Sequence, residues 1–313
     1  MNSEQVFFQL RARLEVVDAL YRFGAGIDFN NDDLLTSALA PDVIVDFTRS
    51  NKLWGLEFPI SQGRDRVEHT RTEELNMDLQ LKGKRALITG SSSGIGKAIA
   101  IALAQEGVAV VIQGRRQKEV ERVAQEITAS GGKAAMAIGD LTQNAEAQQV
   151  VDTALAAFNR IDILINNAGA FPFQGWMEAT VEDWMQNFDT NVFSMVRMIR
   201  LLVPQMKQGG WGRMIQISSN AGVQAVPYAA SYSATKAANI NMTVSLAKEL
   251  ANTGITVNTV SPGPVITEGW TQAALEIAQK QGWGTDLEII RHLRKSSKCY
   301  CDWLWLALLE LVT

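Results

Sequence analysis

Only two cysteines, Cys299 and Cys301, and only two histidines occur among the 313 residues. A single residue separates the cysteines, so there is neither a disulfide framework nor a CxxC metal pattern, and the reducing cytoplasm is the expected compartment. Basic residues are not in excess. The 29 Lys and Arg against 33 Asp and Glu leave a net charge of -4, which argues against a nucleic-acid partner. Long apolar runs are also missing: Trp303 to Leu309 is too short to span a bilayer, so no membrane association is expected. The first residues mix Glu4, Arg11 and Glu15 with apolar positions and lack the basic start and unbroken apolar core of a signal peptide. What remains, 47% hydrophobic and 20% charged, is the composition of a globular protein with a full core.

The rhythm of the chain changes near residue 78. Before it, Val6, Leu10, Leu14, Val17 and Leu20 recur at helical spacing, a second short helix is predicted over Leu34 to Ala40, and Val43 to Phe47 alternates like a strand. After it, short apolar runs alternate with longer helical patterns. The runs are Arg85 to Thr89, Ala109 to Gln113, Ala134 to Ile138, Ile163 to Ile165, Arg213 to Ile217 and Thr256 to Val260. Helices are predicted between them over Ile95 to Gln105, Gln117 to Thr128, Glu146 to Phe158, Val181 to Gln205 and Ala229 to Ala251. This alternation predicts an α/β domain, a doubly wound parallel sheet of the Rossmann type with helices on both faces, preceded by a short α+β fragment. The expected organisation is therefore 1–78, 79–293 and an atypical tail over 294–313.

The first predicted strand runs into Gly90, Ser91, Ser92, Ser93, Gly94, Ile95 and Gly96, then directly into a helix. Glycines there permit the tight turn and bring backbone N–H groups and a helix N-terminus to a pyrophosphate. A glycine-rich turn alone fits any loop that needs positive φ; its place at the start of a βαβ unit points to a dinucleotide. Such sites place an acidic residue about 20 residues further on to bind the adenosine ribose. Here that slot reads Arg115 and Arg116. Guanidinium groups pair with a 2′-phosphate that a carboxylate would repel, so NADP(H) is expected over NAD(H), unless both are solvated loop charges. Asp140, followed by Leu141, is placed to accept from an adenine amino group, and fits a helix cap equally well.

Four further motifs complete a pattern: Asn166-Asn167-Ala168-Gly169, Asn191, Ser219 with Tyr232 to Lys236, and Pro262-Gly263. With them the stretch from 85 to 267 resembles the short-chain dehydrogenase/reductase family. The resemblance implies that Asn167, Ala168 and Gly169 line the adenosine and ribose side of the cofactor. It also implies that Pro262, Gly263, Val265 and Thr267 contact the nicotinamide end, and that Asn191 holds a water in a proton relay to Lys236. Ser219 rather than Ser218 is the matching serine, because it precedes Tyr232 by thirteen residues as in the family.

The chemistry also follows from the residues. Tyr232 and Lys236 lie four apart on one helix face, and a nearby ammonium is expected to favour the phenolate of a tyrosine whose unperturbed pKa is about 10. Tyr232 would then give a proton to a carbonyl oxygen as hydride reaches its carbon, with Ser219 hydrogen-bonded to the same oxygen. The expected activity interconverts a ketone and a secondary alcohol. The alternative is an NADP(H)-binding protein with little or no turnover.

That alternative arises at the ends of the chain. Leu14 to Val45, with Tyr21, Gly24, Asp28 and Phe47, resembles the opening of a SnoaL-like domain of the NTF2-like superfamily, about half of which is present; Asp28 reads as a helix-end residue and His69 as a surface residue. After Thr267 a lid is predicted over Thr271 to Leu293, but 294–313 lacks the family's final strand and Gly-Gly ending, as a shifted reading frame or chimeric gene would produce. Such an ending removes surface that the family uses to build homo-oligomers and exposes a sheet edge.

Overall fold

The computed structural model describes residues 81–263 and 265, with the backbone of 44–45 and 61–62. The two short segments, Ile44–Val45 and Ser61–Gln62, pair antiparallel. The first lies inside the strand predicted over Val43 to Phe47. The second sits in a polar stretch, and two residues are too few for any periodicity to announce. The helices and SnoaL-like pattern expected over 1–78, Tyr21, Asp28 and His69 among them, lie outside the described residues, as do Thr267, the lid segment and the tail. The chain divides into two compact units, and everything below belongs to the one that contains Leu79–Leu287.

Six parallel strands form its sheet: β1 (Arg85–Ile88), β2 (Ala109–Gly114), β3 (Lys133–Ile138), β4 (Ile163–Asn166), β5 (Gly212–Ile217) and β6 (Ile255–Val260). Their order is β3-β2-β1-β4-β5-β6. Every residue of β2 is buried, as expected for a strand covered on both faces, which is why it reads as a run rather than an alternation. The chain steps outward from β1 through β2 to β3, then returns to the other side of β1 at β4. That reversal opens a crevice at the carboxyl ends of β1 and β4, where ligands of such sheets gather.

The helices are α1 (Gly94–Gln105), α2 (Gln117–Ala129), α3 (Asn144–Phe158), α4 (Val181–Phe188), α5 (Ser194–Gly209) and α6 (Ala230–Glu249). Val120, Val123, Ala124 and Ile127 of α2 are buried at helical spacing, the stripe that docks it on the sheet. On one face of the sheet Leu87, Val111, Leu164, Met214 and Val257 pack with Val150, Val151, Met198, Leu202 and Met206 from α3 and α5. The helix predicted as one piece over Val181 to Gln205 is two, joined by a π-turn at Asp189–Phe193. Hydrophobic periodicity passes through such a widened turn almost undisturbed, so sequence pattern does not reveal it. Thr180 and Asp183 close a capping box on α4, which fixes where this assembly begins.

Candidate active site

The loop after β1 is held shut by polar side chains rather than by apolar packing. Thr89 Oγ1 accepts from the N–H groups of Asn167 (2.9 Å) and Ala168 (3.0 Å). Asn167 Nδ2 donates back to the carbonyls of Thr89 (2.9 Å) and Gly90 (3.1 Å). Gln113, a polar residue in an otherwise apolar strand, accepts from Gly90 N at 2.9 Å and donates to Gly139 O at 2.8 Å. Neither Thr89 nor Gln113 was expected to matter; their sequence signal is polarity at buried strand ends.

Within this frame Gly90 has φ +63°, and a Cβ on it would stand 2.9 Å from the Ala168 Cα. Gly96 is buried against Ser91, whose Cα would lie 2.9 Å from a Cβ on that glycine. Ser93 is the N-cap of α1, yet its hydroxyl makes no capping hydrogen bond. The first turn, carrying Gly94 and Ile95, therefore offers backbone N–H groups without a side-chain cap, an arrangement suited to an anion. Ser92 lies against Gly114, where a Cβ would come within 3.0 Å of its Oγ. A glycine-floored cradle under an uncapped helix start fits a pyrophosphate.

At the end of β2 the Arg115 side chain is 75% exposed, with Nη1 3.6 Å from Asp140 Oδ2. Arg116 is exposed at the N-cap position of α2. Asp140 is not the cap of α3; it accepts from Thr142 N (3.0 Å) and Thr142 Oγ1 (2.8 Å). The Thr142 N–H, with smaller help from its hydroxyl and Arg115, holds the Asp140 carboxyl below the usual range. Leu141 is buried, and its carbonyl accepts from Arg197.

β5 delivers Ser218 and Ser219. Ser218 is buried and its hydroxyl donates to Lys236 O at 2.8 Å, whereas Ser219 is half-buried and starts a short turn over Asn220–Gly222. Asn220 N donates to Pro262 O at 2.9 Å, which joins this turn to the segment after β6. Gly222 lies so close to α6 that a Cβ would stand 2.6 Å from the Lys236 carbonyl carbon, so glycine is what lets the serine turn rest on that helix. Pro262, Gly263 and Val265 are half-buried.

Tyr232 and Lys236 face the same space from α6. Lys236 is 5% exposed, its ammonium donates to Ile217 O at 2.8 Å, and it stands 5.5 Å from the Tyr232 ring centroid. Burial brings the Lys236 pKa down to about 8. The lowering expected for Tyr232 does not occur in the free protein. Burial pushes its phenol up, and a hydrogen bond to the Ser219 side chain pulls only weakly the other way. Desolvation of the phenol is the dominant cause, and Lys236, 5.5 Å from its ring, does not reverse it.

Asn191 sits in the π-turn, 2% exposed. Its Oδ1 accepts from Ala170 N at 2.7 Å, and its Nδ2 donates to Ala170 O at 2.9 Å and Asn187 Oδ1 at 2.5 Å. Asn187 donates on to Ser231 Oγ at 2.9 Å, one residue before Tyr232. Exposed Gly169 leaves room for the amide, since a Cβ there would stand 2.8 Å from Asn191 Oδ1. Asn187 completes this bridge and was not foreseen, because helix spacing alone does not show which asparagine faces inward. Phe171 was also missed; its ring meets Tyr232 edge-on with centroids 4.6 Å apart.

The arrangement joins an anion cradle to a hydroxyl pair beside a buried ammonium, which suits proton transfer to a bound oxygen. Among the described residues no group of three or more His, Cys, Asp or Glu is placed to hold a metal ion, and no helix is long and apolar enough to cross a membrane. Residues 84–277 match the family model for short chain dehydrogenases. The chain is 42% identical over 213 residues to the uncharacterized oxidoreductase YvrD of Bacillus subtilis, covering 67% of this chain and 79% of that protein. It is 39% identical over 189 residues to a 3-oxoacyl-[acyl-carrier-protein] reductase of Synechocystis, covering 60% and 76%. L-sorbose reductase of Gluconobacter frateurii, solved with NADPH and L-sorbose, superposes with a TM-score of 0.64 at 35% identity, covering 68% of this chain and 80% of that one.

Proposed function

The chain belongs to the short chain dehydrogenase family of oxidoreductases, and on that premise we propose that it is an NADP(H)-dependent enzyme interconverting a small ketone and a secondary alcohol. The observation that carries the reading is the meeting of Ser219 and Tyr232 beside buried Lys236, at the carboxyl edge of the sheet and next to the glycine cradle. The cradle of Gly90, Gly94 and Gly96 would hold the pyrophosphate, Asn167 to Gly169 and Lys236 the ribose side, and Pro262, Gly263, Val265 and Thr267 the nicotinamide end. When bound, the reduced nicotinamide supplies a hydride to the carbonyl carbon, and the oxidised form takes one from the alcohol.

This chain's own residues manage the oxygen and its proton. The Ser219 and Tyr232 hydroxyls hold the carbonyl oxygen, and Tyr232 gives up its proton as negative charge develops there. Burial keeps the phenol protonated, so the proton is in place for that step, and the Lys236 ammonium beside the ring would favour the phenolate as it forms. Asn191 fixes the Ala170 loop against α6 and so orients the Tyr232 environment. Exposed Arg115 and Arg116, in the slot where a ribose-binding carboxylate would stand, support NADP(H). Tyr232→Phe tests the assignment: turnover across a carbonyl panel should fall at least about a hundredfold while NADPH binding persists. Undiminished turnover would refute it.

A further inference from the structure

Aromatic rings continue outward from the catalytic tyrosine. Phe171 meets Tyr232 edge-on at 4.6 Å, Phe173 meets Phe171 at 6.1 Å, and Phe173 stacks on Tyr228 at 4.6 Å with ring planes 22° apart. Two separate segments supply this wall: the loop after β4 and the turn before α6. Both are anchored. Asn191 grips Ala170 immediately before Phe171, and Val226 N donates to Ser233 Oγ at 3.2 Å next to the turn that carries Tyr228. The rings nevertheless stay accessible, with Phe171 37% and Tyr228 46% exposed. Stretches 167–177 and 218–235 contain no Asp, Glu, Lys, Arg or His, so the wall offers no charge to an ionic substrate.

Resting on the proposed carbonyl chemistry, we infer that the substrate is an uncharged ketone bearing an aryl or other flat unsaturated ring, which lies against the wall of Phe171, Phe173 and Tyr228. A ring there gains offset or edge contacts with fixed aromatic partners. A polyol would lose its water to ring faces that return no hydrogen bond, and an acid would meet no cation in either stretch of the wall. Because both segments are held in place, little ordering is needed when the ring binds.

The test compares kcat/KM with NADPH for acetophenone, cyclohexyl methyl ketone and a ketohexose in the wild type, Phe173→Leu and Tyr228→Leu. The aryl ketone should exceed the cyclohexyl one by about threefold to tenfold, the size of one aromatic contact, and each variant should reduce that ratio toward one. A wild-type ratio of one, a ratio unchanged in both variants, or a preference for the ketohexose overturns the inference. Butanone turnover by the wild type checks the carbonyl reading separately. If no ketone reacts with either cofactor, that reading fails, and binding of the acetophenone-derived alcohol, followed by saturation-transfer NMR, decides the wall alone. Weaker binding in Phe173→Leu upholds it, and equal binding overturns it.

Discussion

Lys236→Met should stabilise the free protein near neutral pH while disabling it. In the fold the lysine is almost wholly buried, and its pKa falls from 10.5 to about 8 because the ammonium has lost its water. The unfolded chain therefore binds a proton more tightly, and between about 8 and 10.5 it carries more protons than the folded one. Stability then rises with pH across that window, and the full penalty applies below it. At about 1.4 kcal/mol per pKa unit the penalty is about 3 kcal/mol at pH 7 and under about 1 kcal/mol at pH 10. Methionine removes it at similar volume but leaves the Ile217 carbonyl without its donor, a loss of about 1 kcal/mol. The net expectation is a gain of about 2 kcal/mol at pH 7 that shrinks to near zero at pH 10. Urea unfolding of both proteins at the two pH values measures this, since other titrating groups cancel in the difference. A variant no more stable than wild type at pH 7, or a gain that does not shrink with pH, would refute the reasoning.

Arg115→Asp should weaken NADPH about tenfold and NADH far less, as read by cofactor fluorescence titration, because it replaces a charge-assisted donor with a repelling carboxylate. Equal weakening of both would remove the basis for the NADP(H) preference. Gly90→Ala should cost about 1–3 kcal/mol by thermal or denaturant unfolding, since φ +63° and the nearby Ala168 backbone both oppose a side chain. Leu202→Ala, at a fully buried position on α5, should destabilise by about 2–5 kcal/mol without altering the NADPH-to-NADH affinity ratio.

By itself the sequence determined the six strands, within a residue or two at each end, most plainly β1, β2 and β4, whose burial on both faces makes them apolar runs. It also made the Gly90 to Gly96 turn visible, since close approach to Ala168 and Ser91 leaves no room for a Cβ. It marked Tyr232 and Lys236 as partners because helix geometry puts residues four apart on one face. Tertiary structure alone decided what depends on neighbours distant in the chain. The π-turn at Asp189–Phe193 carries Asn191, whose amide meets Ala170, and no local pattern encodes that meeting. Thr89 and Gln113 became the clasps of the loop after β1 only when neighbouring strands were laid side by side. The direction of the Tyr232 shift, opposite to the one its spacing from Lys236 suggested, was set by burial of the phenol. Phe171, in the loop after β4, met Tyr232 on α6, and Phe173 joined it through the Phe171 ring. Spacing fixes which side chains share a face, but desolvation and long-range contact appear only when the faces close on one another.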